Sequence, residues 1–339
     1  MAYTTIDDPS AYFQTALYTG TGSSTQNVVN GGNSDLQPDW VWVKNRTDAR
    51  WHRLVDSSRG ASKNLYSNET DAEGTEASVT AFNSDGFSLG TDTGSDGWNE
   101  NGDAHVAWQW KANGGSRTTF NASGNQLAGG YQANTTAGFS IVDYTGNATN
   151  GATFPHGLGA TPVIAIIKDR TNAGDGGGTN WIVAYTIQDG SSDRLYLNGT
   201  NAKFDLPVGS TEFRVDFDSS NVTLGTWNNV NASGTHIAYV FTPIQGYSKF
   251  GSYTGNANAD GAFVYTGFKP AWIMIKKTNN TSQWVLHDTT RQEFNMQTKF
   301  LQANQSAAES TSSAADLDIL SNGFKLRSSD DAQNGNGDT

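Results

Sequence analysis

Apolar residues in this chain fall in short runs, separated by stretches rich in Gly, Asn, Ser and Thr. One run, 105–110, combines β-branched and aromatic residues with partial alternation of polar and apolar positions, which is typical of a strand. Another, 40–43, is continuously apolar, as expected for a strand buried on both faces. The dipeptide Asp85-Gly86 favours a hairpin turn. The pattern therefore predicts short strands joined by tight turns.

The same order of motifs recurs three times along the chain. Each copy opens on Tyr-Thr-Gly, continues through a polar loop to a Pro, and reaches an apolar strand ending in Lys, here called the Lys strand. The distance from Tyr to Lys is 26, 24 and 23 residues, and such regular spacing indicates internal repeats. The openings are Tyr18-Thr19-Gly20, Tyr144-Thr145-Gly146 and Tyr253-Thr254-Gly255, the prolines are Pro38, Pro162 and Pro270, and the Lys strands are 40–44, 163–168 and 271–276.

Later motifs follow the same order. A Trp comes after each Lys strand, and copies one and three then share an Asp-x-x-Arg motif and a Gly-Phe motif from which copy two departs. Copies one and two finish on a His-x-Ala-aromatic strand, here called the closing strand. The Trp residues are Trp51, Trp181 and Trp284, the pairs are Asp56/Arg59 and Asp288/Arg291, the Gly-Phe motifs are 84–89 and 321–326, and the closing strands are 105–110 and 236–241.

Copy three reaches Thr339 without a closing strand. The loss of a core strand would leave an apolar groove and an open ladder of backbone groups. We therefore expect either that the natural chain continues past Thr339 or that another chain donates the strand.

These patterns predict an all-β fold of three tandem β-sandwich domains, jelly-roll-like, the third lacking its last strand. The predicted boundaries are 1–115 for the first repeat, 138–245 for the second and 246–339 for the third. Residues 116–137 are rich in Asn, Gly and Thr and are predicted to form a polar linker.

Composition and charge narrow the possible partners. The chain has 339 residues, of which 35% are hydrophobic and 11% aromatic, and this indicates a folded core. The net charge is −12 and no Lys/Arg cluster is present, so neither nucleic acid nor an anionic membrane is predicted as a partner. Cysteine is absent, which excludes disulfides. The N-terminus does not have the pattern of a signal peptide, and no apolar run is long enough to cross a membrane.

Histidine provides the first candidates for chemistry, because His105 and His236 hold matching positions in the closing strands. Zinc requires several N or S ligands that converge on one point, and no His pair has that spacing. We favour a structural hydrogen bond. Segments 175–178 and 216–218 carry oxygen ligands that suit calcium, but neither has a complete ligand-loop spacing. No metal or cofactor is predicted.

Carboxylates give the second set of candidates. The Asp-x-x-Arg pairs could bind a ligand or form an ion pair at i and i+3; their repetition favours a role in the fold. The acidic stretch Glu69, Asp71, Glu73 and Glu76 could supply a carboxylate pair for glycoside cleavage, but a solvated loop is the favoured interpretation. No catalytic residue is predicted.

Four tryptophans are the candidate contact residues: Trp40, Trp42, Trp108 and Trp110. Side chains alternate across a strand, so some of these rings face away from the core of their own copy. An outward Trp indicates an interface with another domain, another subunit or a glycan.

Several motifs also resemble a family of virion proteins of tailed bacteriophages, especially phages of marine cyanobacteria and related hosts. The resemblance is carried by residues 1–9, 12–15, 36–46, 56–60, 84–90 and 106–111. It covers essentially the whole chain because the units recur. It implies a structural or tail-fibre role and a location in the virion, after synthesis in the host cytoplasm.

The sequence thus leads to one functional hypothesis and two alternatives. The first is a non-enzymatic tail fibre or appendage that acts in host-surface adhesion. The alternatives are a capsid decoration protein and a glycan depolymerase. Expected partners are copies of itself, with a trimer first because phage fibres are commonly trimeric, other virion proteins near the tail or portal, and a host-surface glycan.

Overall fold

A computed structural model of the protein describes residues 4–24, 26–92, 97–171, 179–188, 190–206 and 210–339. The regular structure of these residues is almost entirely β, so the predicted all-β fold is confirmed. The only helical segments among them are two α-helices, α1 (Asn228–Asn231) and α2 (Asp331–Asn334), and the 3-10 turns Pro9–Ala11 and Ser313–Ala315. No helix in these ranges has the length and apolar character needed to span a bilayer.

Copy one is a sandwich of two antiparallel sheets. The larger has the strand order β1-β9-β3-β4 and the smaller β2-β8-β7, while β5 pairs with β6. Val41, Val43 and Ala107 from the larger sheet pack against Phe87 and Leu89 from the smaller. The strands are β1 (Phe13–Thr19), β2 (Asn27–Val28), β3 (Trp40–Asn45), β4 (Arg53–Asp56), β5 (Lys63–Asn64), β6 (Gly74–Thr75), β7 (Val79–Phe82), β8 (Phe87–Leu89) and β9 (Ala104–Trp110).

Copy two repeats this plan with a larger main sheet. Its order is β10-β11-β12-β19-β14-β15-β16, and the smaller sheet is β13-β18-β17. The strands are β10 (Thr118–Phe120), β11 (Ala128–Asn134), β12 (Phe139–Thr145), β13 (Ala152–Pro155), β14 (Ile164–Asp169), β15 (Ile182–Tyr185), β16 (Asp193–Tyr196), β17 (Val215–Phe217), β18 (Asn221–Leu224) and β19 (Thr235–Phe241).

The prediction of a polar linker at 116–137 is wrong. Strands β10 and β11 lie there and extend the main sheet of copy two, with β11 paired along its whole length to β12. The segment is polar because β10 is an edge strand, with Thr118 and Thr119 exposed. Gly129 and Gly130 sit within β11, where a side chain would meet Asp143 and Arg117. Close approach of the Asp143 backbone explains Gly129, and packing of the Arg117 side chain explains Gly130.

Copy three has the same two layers but fewer strands. Its sheets have the orders β21-β22-β23-β24 and β20-β26-β25, and Ile273 and Ile275 pack against Leu317 and Phe324 between them. The strands are β20 (Phe263–Tyr265), β21 (Trp272–Lys276), β22 (Trp284–Asp288), β23 (Lys299–Gln302), β24 (Ser310–Thr311), β25 (Leu317–Leu320) and β26 (Gly323–Leu326).

The closing strand lies between the opening strand and the Lys strand in copies one and two. Strand β9 pairs with both β1 and β3, and β19 with both β12 and β14. In copy three, β21 ends its sheet, and residues 249–254, which correspond to the opening strand, are not in a strand. The prediction that copy three lacks its last strand is confirmed.

Both closing strands divide their side chains between two cores. In β9, Ala107 packs inside copy one, whereas Val106, Trp108 and Trp110 point into a second core. That second core, here called the shared core, also contains Phe139, Trp181 and Tyr239 from copy two and Trp284, Leu286 and Leu301 from copy three. The main sheet of each copy therefore packs against the smaller sheet of that copy on one face. Its opposite face packs against the other two copies.

Candidate functional site

The four tryptophans predicted as contact residues lie in the shared core. Trp40, Trp42, Trp108 and Trp110 are all buried, with at most 8% of the side chain exposed. Trp40 stacks on Tyr239 of copy two, with ring centroids 4.1 Å apart. Trp108 and Trp110 contact Trp272 of copy three. Three of the four rings therefore form the predicted interface with other copies in the same chain.

The three copies contact one another in a cycle, and one hydrogen bond recurs at every junction. A ring nitrogen near the start of β4, β15 and β22, the strands that follow the Lys strands, lies within hydrogen-bonding distance of a main-chain carbonyl of another copy. Copy one contacts three, two contacts one, and three contacts two. The pairs are His52 Nε2 with Gln302 O at 3.0 Å, Trp181 Nε1 with Tyr66 O at 2.8 Å, and Trp284 Nε1 with Tyr196 O at 2.8 Å.

This cycle corrects one sequence alignment. We matched Trp51 with Trp181 and Trp284, but the strand registers pair Val43 with Arg53, Ile167 with Ile182, and Ile275 with Val285. His52 thus holds the position of the two tryptophans, while Trp51 is 41% exposed. Both His and Trp can donate a ring N–H, and that shared chemistry is the signal that the search for identical residues missed.

The junction between copies one and two is held by a buried ionic network. Asp56 forms an ion pair with Arg59, and both side chains are fully buried. Tyr239 of copy two donates its hydroxyl to Asp56 Oδ2 at 2.7 Å. Arg59 also donates to Glu73 at 3.2 Å, and Glu73 receives two hydrogen bonds from Arg170 of copy two, at 2.8 and 3.0 Å. The repeated Asp-x-x-Arg motif therefore joins copies as well as stabilising a turn.

The junction between copies three and one repeats the network with equivalent residues. Asp288 forms an ion pair with Arg291, and Trp108 of copy one donates to Asp288 Oδ2 at 3.0 Å. Glu309 accepts from Arg291 at 3.1 Å and from Arg46 of copy one at 2.9 and 2.8 Å. Bidentate Arg–carboxylate pairs of this kind fix geometry as well as charge.

The junction between copies two and three has neutral groups in most of these positions. Tyr185 stands at the Asp56 position in the strand register. Gln188 donates to Thr278 Oγ1 of copy three at 2.8 Å. Lys203, at the position of Glu73, donates its backbone N–H to the Thr278 carbonyl and pairs with Asp193. Matching backbone bonds join Glu73 to Arg170 and Glu309 to Arg46, so the backbone contact is common to all three junctions.

The electrostatic environment holds the networks in their charged form. Burial alone would lower the pKa of Arg59, but the charge of Asp56 raises the pKa above its usual value. Burial also tends to raise the pKa of Glu73 and Glu309, yet hydrogen bonds from Arg170 and Arg46 hold both values below normal. A glutamate with a lowered pKa is more readily ionised, so it accepts hydrogen bonds from the arginines and is a poor proton donor.

The lysine that ends each Lys strand is also largely buried. Desolvation lowers the pKa of Lys44 to about 7 and the pKa values of Lys168 and Lys276 to about 8. Two of these lysines donate to a carbonyl of the neighbouring copy, Lys168 to Thr70 at 3.1 Å and Lys276 to Thr200 at 3.3 Å. The repeated Lys is therefore another junction residue in copies two and three, whereas Lys44 donates to Asn45 of its own copy.

The two closing-strand histidines have structural contacts. His105 Nδ1 lies 3.0 Å from the Asp103 carbonyl, and His236 Nδ1 lies 3.0 Å from the Gly234 carbonyl. Each ring stacks on the opening Tyr of its copy at a centroid distance of 4.9 Å. Burial lowers the pKa of His105 to about 4 and lowers that of His236, so both rings are neutral near pH 7.

An asparagine shortly before each closing-strand position links the beginning and the end of its copy through hydrogen bonds. The sequence analysis did not identify it. Its side-chain oxygen accepts the N–H of the residue that follows Tyr-Thr-Gly, and its amide donates to main-chain carbonyls. The opening Tyr hydroxyl donates to the carbonyl just before this asparagine. Its place four or five residues before the first residue of β9 and β19 was an available signal. The residues are Asn99, Asn231 and Asn334.

The remaining chemical candidates lead to no site. Among the described residues, Asp48, Glu100 and Asp103 form the one carboxylate group close enough to hold an ion, but Arg50 already donates to Glu100 at 2.7 and 2.8 Å. In segment 216–218, Asp216 pairs with Arg214. Residues 175–178 lie outside the described residues.

The fold and these junctions define a class of protein: a chain of three β-sandwich units fused around a shared aromatic core. A family model described as a domain of unknown function, DUF7483, matches residues 8–339, and the chain belongs to that family. No curated protein and no solved structure matches it.

Proposed function

We propose that this chain is a non-enzymatic structural component of a tailed-phage virion, as a tail fibre or another appendage acting in host-surface adhesion. The proposal rests on the position of the motifs that resemble the virion family, because their residues lie at the contacts between copies. Asp56, Arg59, Arg46 and Trp108 all belong to such motifs and all lie at the junctions between copies. Residues used in this way build a body of fixed shape, which suits a load-bearing part.

The geometry of the acidic stretch supports a structural role over the depolymerase alternative. Glu73 is held by two arginines, and its pKa is lowered. A general acid for glycoside cleavage needs a raised pKa. Glu76 accepts the Tyr66 hydroxyl at 3.0 Å. These contacts tie two of the four predicted carboxylates to the fold.

Quantitative mass spectrometry of purified particles of a phage that encodes this chain tests the proposal. A fibre is expected at a few to a few tens of copies per particle, and a decoration protein on the capsid at hundreds. Absence of the chain from the particles contradicts both. A sugar-release assay on host polysaccharide provides the check on the depolymerase alternative.

We also propose that the chain assembles with copies of itself, as a trimer, and with other virion proteins. Strand β10 lies at the edge of the main sheet of copy two with two of its three residues exposed, and an open edge can pair with another chain. Light scattering coupled to size exclusion should give three times 36.2 kDa. A stable mass of one chain contradicts the trimer.

A further inference from the structure

A groove lies in copy three, at the place where copies one and two have their closing strands. It is a cavity of about 770 Å³, lined on one side by residues 249–253 and on the other by strand β21. Its inner wall includes Trp40 and Trp110 of copy one and Tyr185 of copy two. Apolar and aromatic side chains of all three copies thus meet around one slot.

The backbone at the mouth of this groove already has the register of a closing strand. In every copy, the Gly of Tyr-Thr-Gly and the residue two places after the Lys donate their N–H groups to two successive carbonyls. In copy three those carbonyls belong to Asp338 and Thr339, so Thr339 holds the position of the first residue of β9 and β19. The acceptors are Asp103 and Ala104 at 2.9 and 2.8 Å, Gly234 and Thr235 at 2.9 and 2.8 Å, and Asp338 and Thr339 at 2.8 and 2.7 Å.

We propose that this groove binds one antiparallel β-strand that continues from Thr339 and pairs with both residues 249–254 and β21. The strand has the pattern of the two closing strands, in which His, Ala and a third residue face the sandwich of their own copy. The alternate positions are apolar or aromatic and face the shared core. The occupant is thereby defined by chemistry and direction.

The aromatic position of this strand has a defined place in the cycle of copies. Tyr239 of copy two reaches Asp56 of copy one, and Trp108 of copy one reaches Asp288 of copy three. By the same rule, the aromatic residue of the bound strand would point from copy three to the residue of copy two that is equivalent to Asp56 and Asp288. That residue is Tyr185 by strand register, and Tyr185 lines the groove.

The histidine position has a partner as well. His105 stacks on Tyr18, and His236 stacks on Tyr144. The third opening Tyr, Tyr253, lines the groove and is already fixed, since its hydroxyl donates to the Gln333 carbonyl at 2.7 Å. A His directly after Thr339 would complete the third stack. The strand is therefore specified on both of its faces.

The test adds six residues to the full chain and compares two versions with identical composition. One carries His-Ile-Ala-Tyr-Val-Phe after Thr339, the sequence of 236–241. The control carries Ile-His-Tyr-Ala-Phe-Val, which exchanges neighbours and so turns every side chain to the opposite face. Melting temperature and hydrogen exchange of the amides in 249–254 and β21 are measured for both and for the unextended chain.

We expect the first extension to raise the melting temperature by about 5 °C or more and to slow exchange in both flanking segments at least tenfold, with no such gain for the control. Equal effects of the two extensions, or none, overturn the proposal. Hydrogen exchange of the unextended chain, measured at several dilutions, tests whether a second subunit fills the groove instead. If those amides are protected only in a concentration-dependent oligomer, a second subunit fills the groove, and the proposal of a continuing strand is wrong.

Discussion

At the scale of single residues, the Asp-x-x-Arg motif shows how a buried ion pair constrains a fold. Asp56 and Arg59 are removed from water, and the desolvation of two charges offsets most of their attraction. Their pairing therefore adds little net stability while both are present. Removal of one partner is different, because the other charge stays buried.

We expect Asp56→Asn to lower the free energy of unfolding by about 3–5 kcal/mol, because the substitution leaves Arg59 buried with only Glu73 as a charged partner. The matched control is Asp216→Asn, which removes a carboxylate from the partly exposed Arg214 pair and should cost less than about 1 kcal/mol. Urea denaturation followed by tryptophan fluorescence measures both. Equal losses would show that burial does not set the cost.

Buried histidines predict a pH dependence. The pKa of His105 falls to about 4 and that of His287 to about 3 because both are buried, against an ordinary value of 6.5. Below pH 6.5 the unfolded chain binds protons that the folded chain refuses, so stability falls as the pH falls. Each histidine contributes a slope of up to about 1.4 kcal/mol per pH unit.

The melting temperature should therefore decline between pH 6.5 and 4, before the lowered pKa values of Glu73 and Glu309 add their own loss below pH 4.5. His105→Asn, which keeps a side-chain N–H for the Asp103 carbonyl, should reduce the slope between pH 6 and 4.5. A melting temperature that stays constant from pH 7 to pH 5 would contradict the assignment of neutral buried histidines.

At the scale of elements, the Gly of each Tyr-Thr-Gly opening is fixed by a close backbone approach. A side chain on Gly20, Gly146 or Gly255 would collide with main-chain atoms of the turn before the closing-strand position. That turn also holds the closing asparagine, so the opening and the end of each copy are locked together. The repeated glycine is a packing requirement.

Gly146→Ala should destabilise the protein by about 1–3 kcal/mol, because the added carbon meets the backbone of 231–232. Gly31→Ala is the matched control, since no atom lies within 4 Å of the position its side chain would take. Thermal unfolding of both variants measures the difference. A loss at Gly31 as large as that at Gly146 would refute the steric explanation.

The sequence predicted elements better than registers. The Lys strands and closing strands were readable because apolar runs and repeats mark them. The offset between Trp51 and His52 could not be read from the sequence. Trp51 is the same residue type as Trp181 and Trp284, whereas His52 shares with them only a ring N–H. The hairpin at 118–134 was missed because an edge strand needs few apolar residues.

The interface tryptophans show the same limit at the level of the candidate site. Alternation along a strand indicated outward rings, but it could not tell whether another domain, another subunit or a glycan covered them. The distance between Trp40 and Tyr239 in sequence is large, and only the cyclic arrangement of the copies brings them together.

At the scale of the whole molecule, the shared core should make the three copies unfold together. Residues of every copy contribute to it, so no copy can unfold without exposing the aromatic surface of the other two. We expect one calorimetric transition, with a van't Hoff enthalpy close to the calorimetric enthalpy. Three separate transitions, or a copy that melts alone, would contradict a shared core.

The cyclic contact between copies has a further consequence because all three belong to one polypeptide. Three separate units would associate by mass action, and their ring would come apart on dilution. Covalent connection replaces that bimolecular step by an intramolecular one, with an effective concentration on the order of millimolar. The ring therefore stays closed at any dilution, and each junction is free to differ from the others, as the neutral junction between copies two and three already does.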